Sequence, residues 1–537
     1  MEAQNSLEQL PFAMPNVNIP NFKTDTFNVK TYGAVNDGIT INTEAFAKTI
    51  EACSNSGGGT VLIPEGLWLT GPIVLKSNIN LHAAQGALVI FSQNLNDYPL
   101  VDGYYEGLKS LRCQSPISGR NLTNIAITGK GIFDGSGQVW RMVKKSKVTD
   151  SQWKALVNSG GVVSDDKLTW YPSEKSKKGN TLPKPLNANS TREEFEAVKD
   201  FLRPVMVSLI ECKNILLEGP SFRNSPSWCI HPLMCEHLTV RNINVFNPWN
   251  AQNGDAIDVE SCRIGTITNC VFDAGDDAIC IKSGRNDEGR KRGMPTEFFV
   301  VKNCTVYNGH GGFVIGSEMS GGVRNMFVSN CTFIGTDIGL RFKSTRGRGG
   351  IVENIWISDI SMINIPAEAI SFNMYYGGTS PVPEADEVPT ETVIRKPTTT
   401  PAVDEGTPIF RNFYIKNIAC NGAALGILSQ GLPEMPIRNI QFENISMKTT
   451  EGIDVIDAEN ISFKNVKIEI AKKEAINIDN SSNISFKGIS AKVPESSKLV
   501  TITGNRTNQI QLSEFGPKLT EQTLFISNEV KADAVKK

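Results

Sequence analysis

Asp255-Ala-Ile-Asp-Val-Glu-Ser261 reads directly onto Asp277-Ala-Ile-Cys-Ile-Lys-Ser283. Both read onto Gly311-Gly-Phe-Val-Ile-Gly-Ser317 and Ile338-Gly-Leu-Arg-Phe-Lys-Ser344, with successive offsets of 22, 34 and 27 residues. In this register Ile257, Ile279, Phe313 and Leu340 share one column, and Val259, Ile281, Ile315 and Phe342 share the next apolar one. Side chains of a strand alternate between faces, so these two columns point inward and the residues between them point outward. Short strands that recur with one polarity and one ending predict coils stacked on each other, not separate sheets.

The same rhythm runs outward along the chain. Segments of the form Asn-(Ile/Cys)-x-(apolar) begin at Asn214, Asn242, Asn269, Asn303, Asn330, Asn417, Asn444 and Asn460, with most neighbours 27, 28 or 34 residues apart. Each is rich in β-branched and aromatic residues and ends at Asn, Gly or Asp, a strand followed by a turn. Neither a Leu-x-x-Leu-x-Leu frame nor a repeated Trp-Asp is present, and long helical periodicity is absent between the segments. The expected fold is all-β: a right-handed, single-stranded parallel β-helix, its coils about 4.8 Å apart. A solenoid needs a cap, and residues 43–53 place Ala45, Phe46, Thr49, Ile50 and Cys53 on one helical face behind Asn42, a candidate N-cap.

We expect an N-terminal extension over 1–26, one β-helix over 27–530 and a polar tail over 531–537. Two stretches break the period: 140–200, charged and with a helical pattern at Thr191–Phe201, and 377–408, rich in Gly, Pro, Thr and Glu. Both read as long loops, which on solenoids gather around a binding face. With 54 Lys and Arg against 56 Asp and Glu, the net charge of −2 gives no general pull toward nucleic acid or an anionic membrane. No run approaches the roughly 18 apolar residues of a membrane span. Met1–Leu10 is polar, as a removed export signal or a cytosolic start would both leave it. The expectation is a periplasmic or secreted monomer. The eleven cysteines lack the spacing of a disulfide scaffold and read as buried thiols.

The outward columns carry the chemistry. Asp258, Cys280, Val314 and Arg341 share one; Glu260, Lys282, Gly316 and Lys343 share the next, into which His231 of the preceding coil is expected to project. Asp255 and Asp277 stand just before the strand, and Gly254, Asp276, His310 and Asp337 precede them. Singly, an Asp at a strand start is more often a turn residue and a lone His a structural group. Three aspartates, a histidine, an arginine and a lysine in four coils are a different matter, although an ion-pair ladder or a calcium site would also gather them.

These residues resemble glycoside hydrolase family 28, the polygalacturonases, in four ordered blocks: Asn253-Gly254-Asp255, Gly275-Asp276-Asp277, Gly309-His310-Gly311 and Arg341-Phe342-Lys343. Tyr32-Gly33-Ala34-Val35, Asp37-Gly38, Gly57-Gly58-Gly59-Thr60-Val61 and Pro64-Glu65-Gly66 are similar to the family's first coils, and the likeness covers about residues 27–490. Gly254 replaces the family's Thr and Phe342 its Ile. The resemblance implies inverting hydrolysis of α-1,4-galacturonosidic bonds in pectic polysaccharide or oligogalacturonide, without metal or cofactor. Asp276 would be the general acid, Asp255 and Asp277 would hold the water, and His310 would tune the acid or bond the sugar. Asn253, Lys282, Arg341 and Lys343 are expected at the substrate, the cations suiting a uronate carboxylate. His231 is a weaker contact. For Tyr375 or Tyr376, stacking on a sugar and packing under the adjacent loop both stay open, as do an anion-binding rim and a solvated charge run for Arg285, Arg290 and Arg292. Exo action is expected, with the insertions walling one end of the groove. Endo action, a rhamnogalacturonan or xylogalacturonan hydrolase, a calcium-dependent pectate lyase and a non-catalytic carbohydrate-binding β-helix are the alternatives.

Overall fold

A computed structural model describes residues 10–377, 400–495 and 497–537. Most of the 377–408 insertion, residues 378–399, lies outside the described residues. The chain divides into two compact units, Asn16–Cys280 and Met1–Pro15 with Ile281–Lys537.

The first unit is a stack of parallel coils whose inward columns run unbroken. Phe27, Val61, Leu81, Ile127, Leu217, Val240 and Ile267 are successive partners. Ile73, Ile117, Val207, Ile230 and Ile257 form a second column, and Val89, Phe133, Phe222, Val245 and Phe272 a third. All but Phe27, half-buried in the first strand, are essentially inaccessible to solvent, so each rung adds apolar burial to the one before, and the stack is held by nearest neighbours. The predicted helix forms over Thr43–Asn55 and buries the five expected residues against the first coils. Asn42 does not cap it. Its buried amide instead accepts from the Val35 N–H and donates to the carbonyls of Val35, Thr40 and Leu69. The amide closes the 35–42 loop onto the neighbouring coil, which leaves it no reach for the helix.

The 140–200 insertion is more ordered than a loop. It folds into helices Asp150–Asn158, Glu174–Asn180 and Arg192–Glu196 and a small antiparallel sheet of Val143–Lys144, Val162–Val163 and Thr169–Tyr171. Thr191 caps the last helix in a capping box with Glu194. The expected continuation to Phe201 tightens into a 3-10 turn at Lys199–Phe201. There Phe195, Val198 and Leu202 join Tyr98, Leu100, Cys113 and Trp140 in a satellite core. Unforeseen in the sequence is an antiparallel hairpin, Leu100–Tyr105 with Leu108–Cys113, standing on that core.

The second unit repeats the scheme. Phe313, Leu340, Ile370, Ile427, Ile453, Ile476, Val500 and Leu524 are successive inward partners. Phe442, Phe463 and Phe486 stack with ring centroids 4.7 and 4.3 Å apart. The tail is not free: Val535–Lys536 adds a rung beside Ile510–Gln511.

The Asn motif resolves into two corners. Asn412, Asn439, Asn460 and Asn483 form one side-chain ladder, while Asp359, Asn417, Asn444 and Asn465 form another, five residues further along each coil. The asparagines named here have φ between 53° and 60°, the left-handed region that Asn tolerates best after Gly. Each turn residue therefore serves twice, bending its own coil and bonding to the next. The eleven cysteines are buried and unbridged.

Candidate active site

Asp255 lies near the end of the loop between strands Asn244–Phe246 and Ile257–Glu260, and Asp276 and Asp277 stand one coil on, at the start of strand Asp277–Lys282; both turns are pressed tightly together. The Asn247 side chain accepts from the Ser225 N–H (2.9 Å) and donates to the Gly254 carbonyl (3.0 Å), while the Gly275 N–H reaches the same carbonyl at 3.1 Å. A Cβ on Gly254 would lie 2.7 Å from the Ala251 oxygen, and one on Gly275 would lie 2.5 Å from the Pro248 oxygen. No side chain fits at either position, which accounts for the departure from the family's Thr at Gly254. The Ala256 N–H then donates to the Asp277 carbonyl (3.1 Å), as the Cys229 N–H does to Asp255 one coil earlier (2.9 Å). The 22-residue offset is thus realised in the backbone.

One oxygen from each of the three carboxylates lies within 4.8 Å of the others. Asp255 and Asp277 are 3 % and 2 % exposed, whereas Asp276 is half-buried. The Asp277 N–H donates to Asp276 Oδ1 at 3.0 Å, and the Cys280 thiol donates to Asp277 Oδ2 at 3.7 Å. Fully buried Asp258 adds a fourth acid that, with Asp255 and Cys280, satisfies the same spacing. Such oxygen-rich groups could also hold a hard divalent cation. Like charges this close disfavour joint ionisation.

Arg203, which the motifs did not reveal, fixes this loop. It donates to the carbonyls of Pro226 (3.1 Å) and Gln252 (2.8 Å) and to Asn253 Oδ1 (2.7 Å), holding Asn253 at φ 50°. The Asn253 side-chain oxygen is engaged by this arginine. His231 bonds Glu260 at 2.9 Å, both nearly inaccessible, and packs edge-on against Trp228. Register corrects its expected column. Ile230 faces Ile257 and Leu233 faces Glu260, so His231 stands level with Asp258 and reaches Glu260 only by its side chain. A histidine so enclosed is a wall residue, not a surface contact.

In the second unit, Arg341 faces Val314 and Ser371 across the rungs, and Lys343 faces Asn373. Exposed Tyr376 collects both cations: Lys343 Nζ is 4.8 Å and Arg341 Cζ 5.7 Å from its ring centroid. Arg341 also donates to the His310 carbonyl (3.2 Å), and His310 Nε2 lies 3.7 Å from Asp337 with both side chains about half exposed. Tyr375 is buried beneath Arg346, itself paired with Glu434. Of the two tyrosines, 375 packs and 376 is open. Lys282 forms a buried ion pair with Glu318 at 3.0 Å, with Arg348 3.6 Å from the same carboxylate. Burial works to raise the Glu318 pKa, but Lys282, Arg348 and Lys343 outweigh it and hold the carboxyl at about 2. Arg290 clasps the carbonyls of Gly347 and Arg348, and Arg292 lies near Glu288, so both have structural partners.

Carboxylates clustered on adjacent coils of a parallel β-helix suit acid–base hydrolysis of a glycosidic bond. Residues 188–406 match the model of glycosyl hydrolases family 28, and residues 26–96 match rhamnogalacturonase A/epimerase, pectate lyase-like. A hyperthermoactive exopolygalacturonase of Thermotoga maritima is 30% identical with a TM-score of 0.62, over 84% of this chain and 92% of that one. An exo-poly-alpha-D-galacturonosidase of Dickeya chrysanthemi is 26% identical over 82% of this chain and 70% of its own. A probable polygalacturonase of Vitis vinifera is 28% identical over 62% of this chain, which spans 59% of that relative's length. The chain belongs to glycosyl hydrolases family 28.

Proposed function

We propose that this enzyme hydrolyses α-1,4-galacturonosidic bonds in pectic polysaccharide or oligogalacturonides, working from chain ends. The carrying observation is the convergence of three carboxylates within 4.8 Å on adjacent coils. In this reading Asp276, the most accessible of the three, protonates the leaving oxygen, and Asp255 and Asp277 share and activate the attacking water. The family resemblance gives His310 the part of assisting the acid, and Arg341, Lys343 and Tyr376 of the second unit together suit a uronate carboxylate and a sugar ring. The exopolygalacturonase relatives support chain-end attack. Polygalacturonate digested by the purified enzyme should yield monogalacturonate from the first minutes, and an early ladder of oligomers would refute exo action. One observation favours a second reading. Inverting pairs commonly stand about 6.5–9.5 Å apart and retaining pairs about 5 Å, and this cluster is on the short side. Inversion is favoured here because a third carboxylate lets two acids hold one water between them.

A further inference from the structure

Three arginines of the first unit stand within electrostatic reach of one another, and although Glu106 acts on Arg112 and Asp134 on Arg141, none of the three forms an ion pair among the described residues. Among the described residues, Arg112 makes one hydrogen bond, to the Arg203 carbonyl at 2.5 Å, and Arg203 bonds only neutral oxygens. Arg141 bonds the Ser225 carbonyl and Asn224 Oδ1 (2.7 Å). Burial lowers the pKa of Arg112 and of Arg141, the latter to about 10, and the like charge of Arg203 adds to both. Guanidinium groups gathered this way are half of an anion site.

Arg112 belongs to the unforeseen hairpin and lies flat on a second hairpin residue, its Cζ 4.0 Å from the Tyr105 ring centroid. Tyr105 in turn stacks on Trp228 with centroids 5.3 Å apart. The residue after Trp228 is Cys229, whose N–H bonds the Asp255 carbonyl. The hairpin thus stands about one coil to the N-terminal side of Asp255, near enough that Asp255 adds to the burial that pushes the Tyr105 phenol up to about 12. Its base is fixed: the Cys113 N–H bonds Leu202, Arg192 bonds the Leu100 carbonyl, and Arg120 bonds the Asp102 carbonyl. The 140–200 insertion is therefore its buttress.

We propose that the hairpin is the end wall of the substrate cleft, where Arg112, held in place by the Tyr105 ring beneath it, takes the carboxylate of the terminal galacturonate. This rests on the chain-end reading above. The test is the Y105A/R112Q variant alongside the parent and R112K. A charge-assisted contact of this kind is worth about 10- to 100-fold. KM for trigalacturonate should rise by about that factor in the double variant, and less in R112K, with kcat within about threefold. Polygalacturonate should then release oligomers early. Monomer-only products with unchanged KM would overturn the assignment while leaving exo action intact; an oligomer ladder from the parent would instead defeat the chain-end reading itself. Should the double variant fail to fold, the single R112Q variant decides: its KM for trigalacturonate should rise about tenfold, and a KM equal to the parent's refutes the anion site.

Discussion

Replacing Glu318 with Gln tests whether the buried Lys282–Glu318–Arg348 cluster is held by charge. Glu318 is 8 % exposed and titrates at about 2 where an ordinary glutamate titrates at 4.5. A gap of about 2.5 pH units at 1.36 kcal/mol each corresponds to ~3 kcal/mol of stability at neutral pH. A carboxyl with a depressed folded pKa contributes fully above its unfolded value and loses the contribution as pH falls through 4.5 toward 2. Denaturant melts of parent and E318Q should therefore differ by ~3 kcal/mol at pH 7 and by only ~1 kcal/mol at pH 3. Lys282 and Arg348 should also loosen, raising KM on galacturonides. A stability difference that stays constant across this pH range would show that Glu318 acts through packing, not ionisation.

Three further outcomes follow from the geometry. D276N should lower kcat by about 10²–10⁴ with KM little changed, as loss of a general acid does; parental turnover in a steady-state assay would remove Asp276 from that role. Chelator treatment should leave galacturonide hydrolysis intact, whereas loss of activity restored by calcium would reassign the carboxylates as metal ligands. N439A should cost ~2–3 kcal/mol in a chemical melt, from two ladder hydrogen bonds and a φ of 57° that alanine resists, and N439G should recover part of it. Equal values for the two variants would refute the backbone share.

The fold was legible because inward columns are spelled in consecutive rungs: Phe313 and Leu340 were paired by alternation alone, and the structure pairs them. The Asn repeats form a single series in the sequence because both corners use the same residue for the same reason. Asn214 aligns with His237 and Asn242 with Asn269, so their 28-residue spacing is one coil plus the step between corners. Asp255, Asp276 and Asp277 were visible as a local motif. Arg203 was not, since it lies fifty residues from Asn253 and no periodicity links a buttress to the loop it holds. The hairpin escaped because its alternating Leu, Val and Tyr look like another rung, and only its antiparallel partner reveals an excursion. Asn42 shows a limit of motif reading, a capping residue at the right place whose amide bonds elsewhere.

Proton NMR of the first turnovers on trigalacturonate bears most directly on the three-carboxylate site. The newly formed reducing end should emerge as the β-anomer and convert slowly to the α form, as direct attack by a water held between Asp255 and Asp277 requires. An α-anomer appearing first would mean a covalent intermediate on one of these aspartates, and a product bearing a new double bond would mean elimination; either result contradicts the hydrolytic mechanism set out for this site.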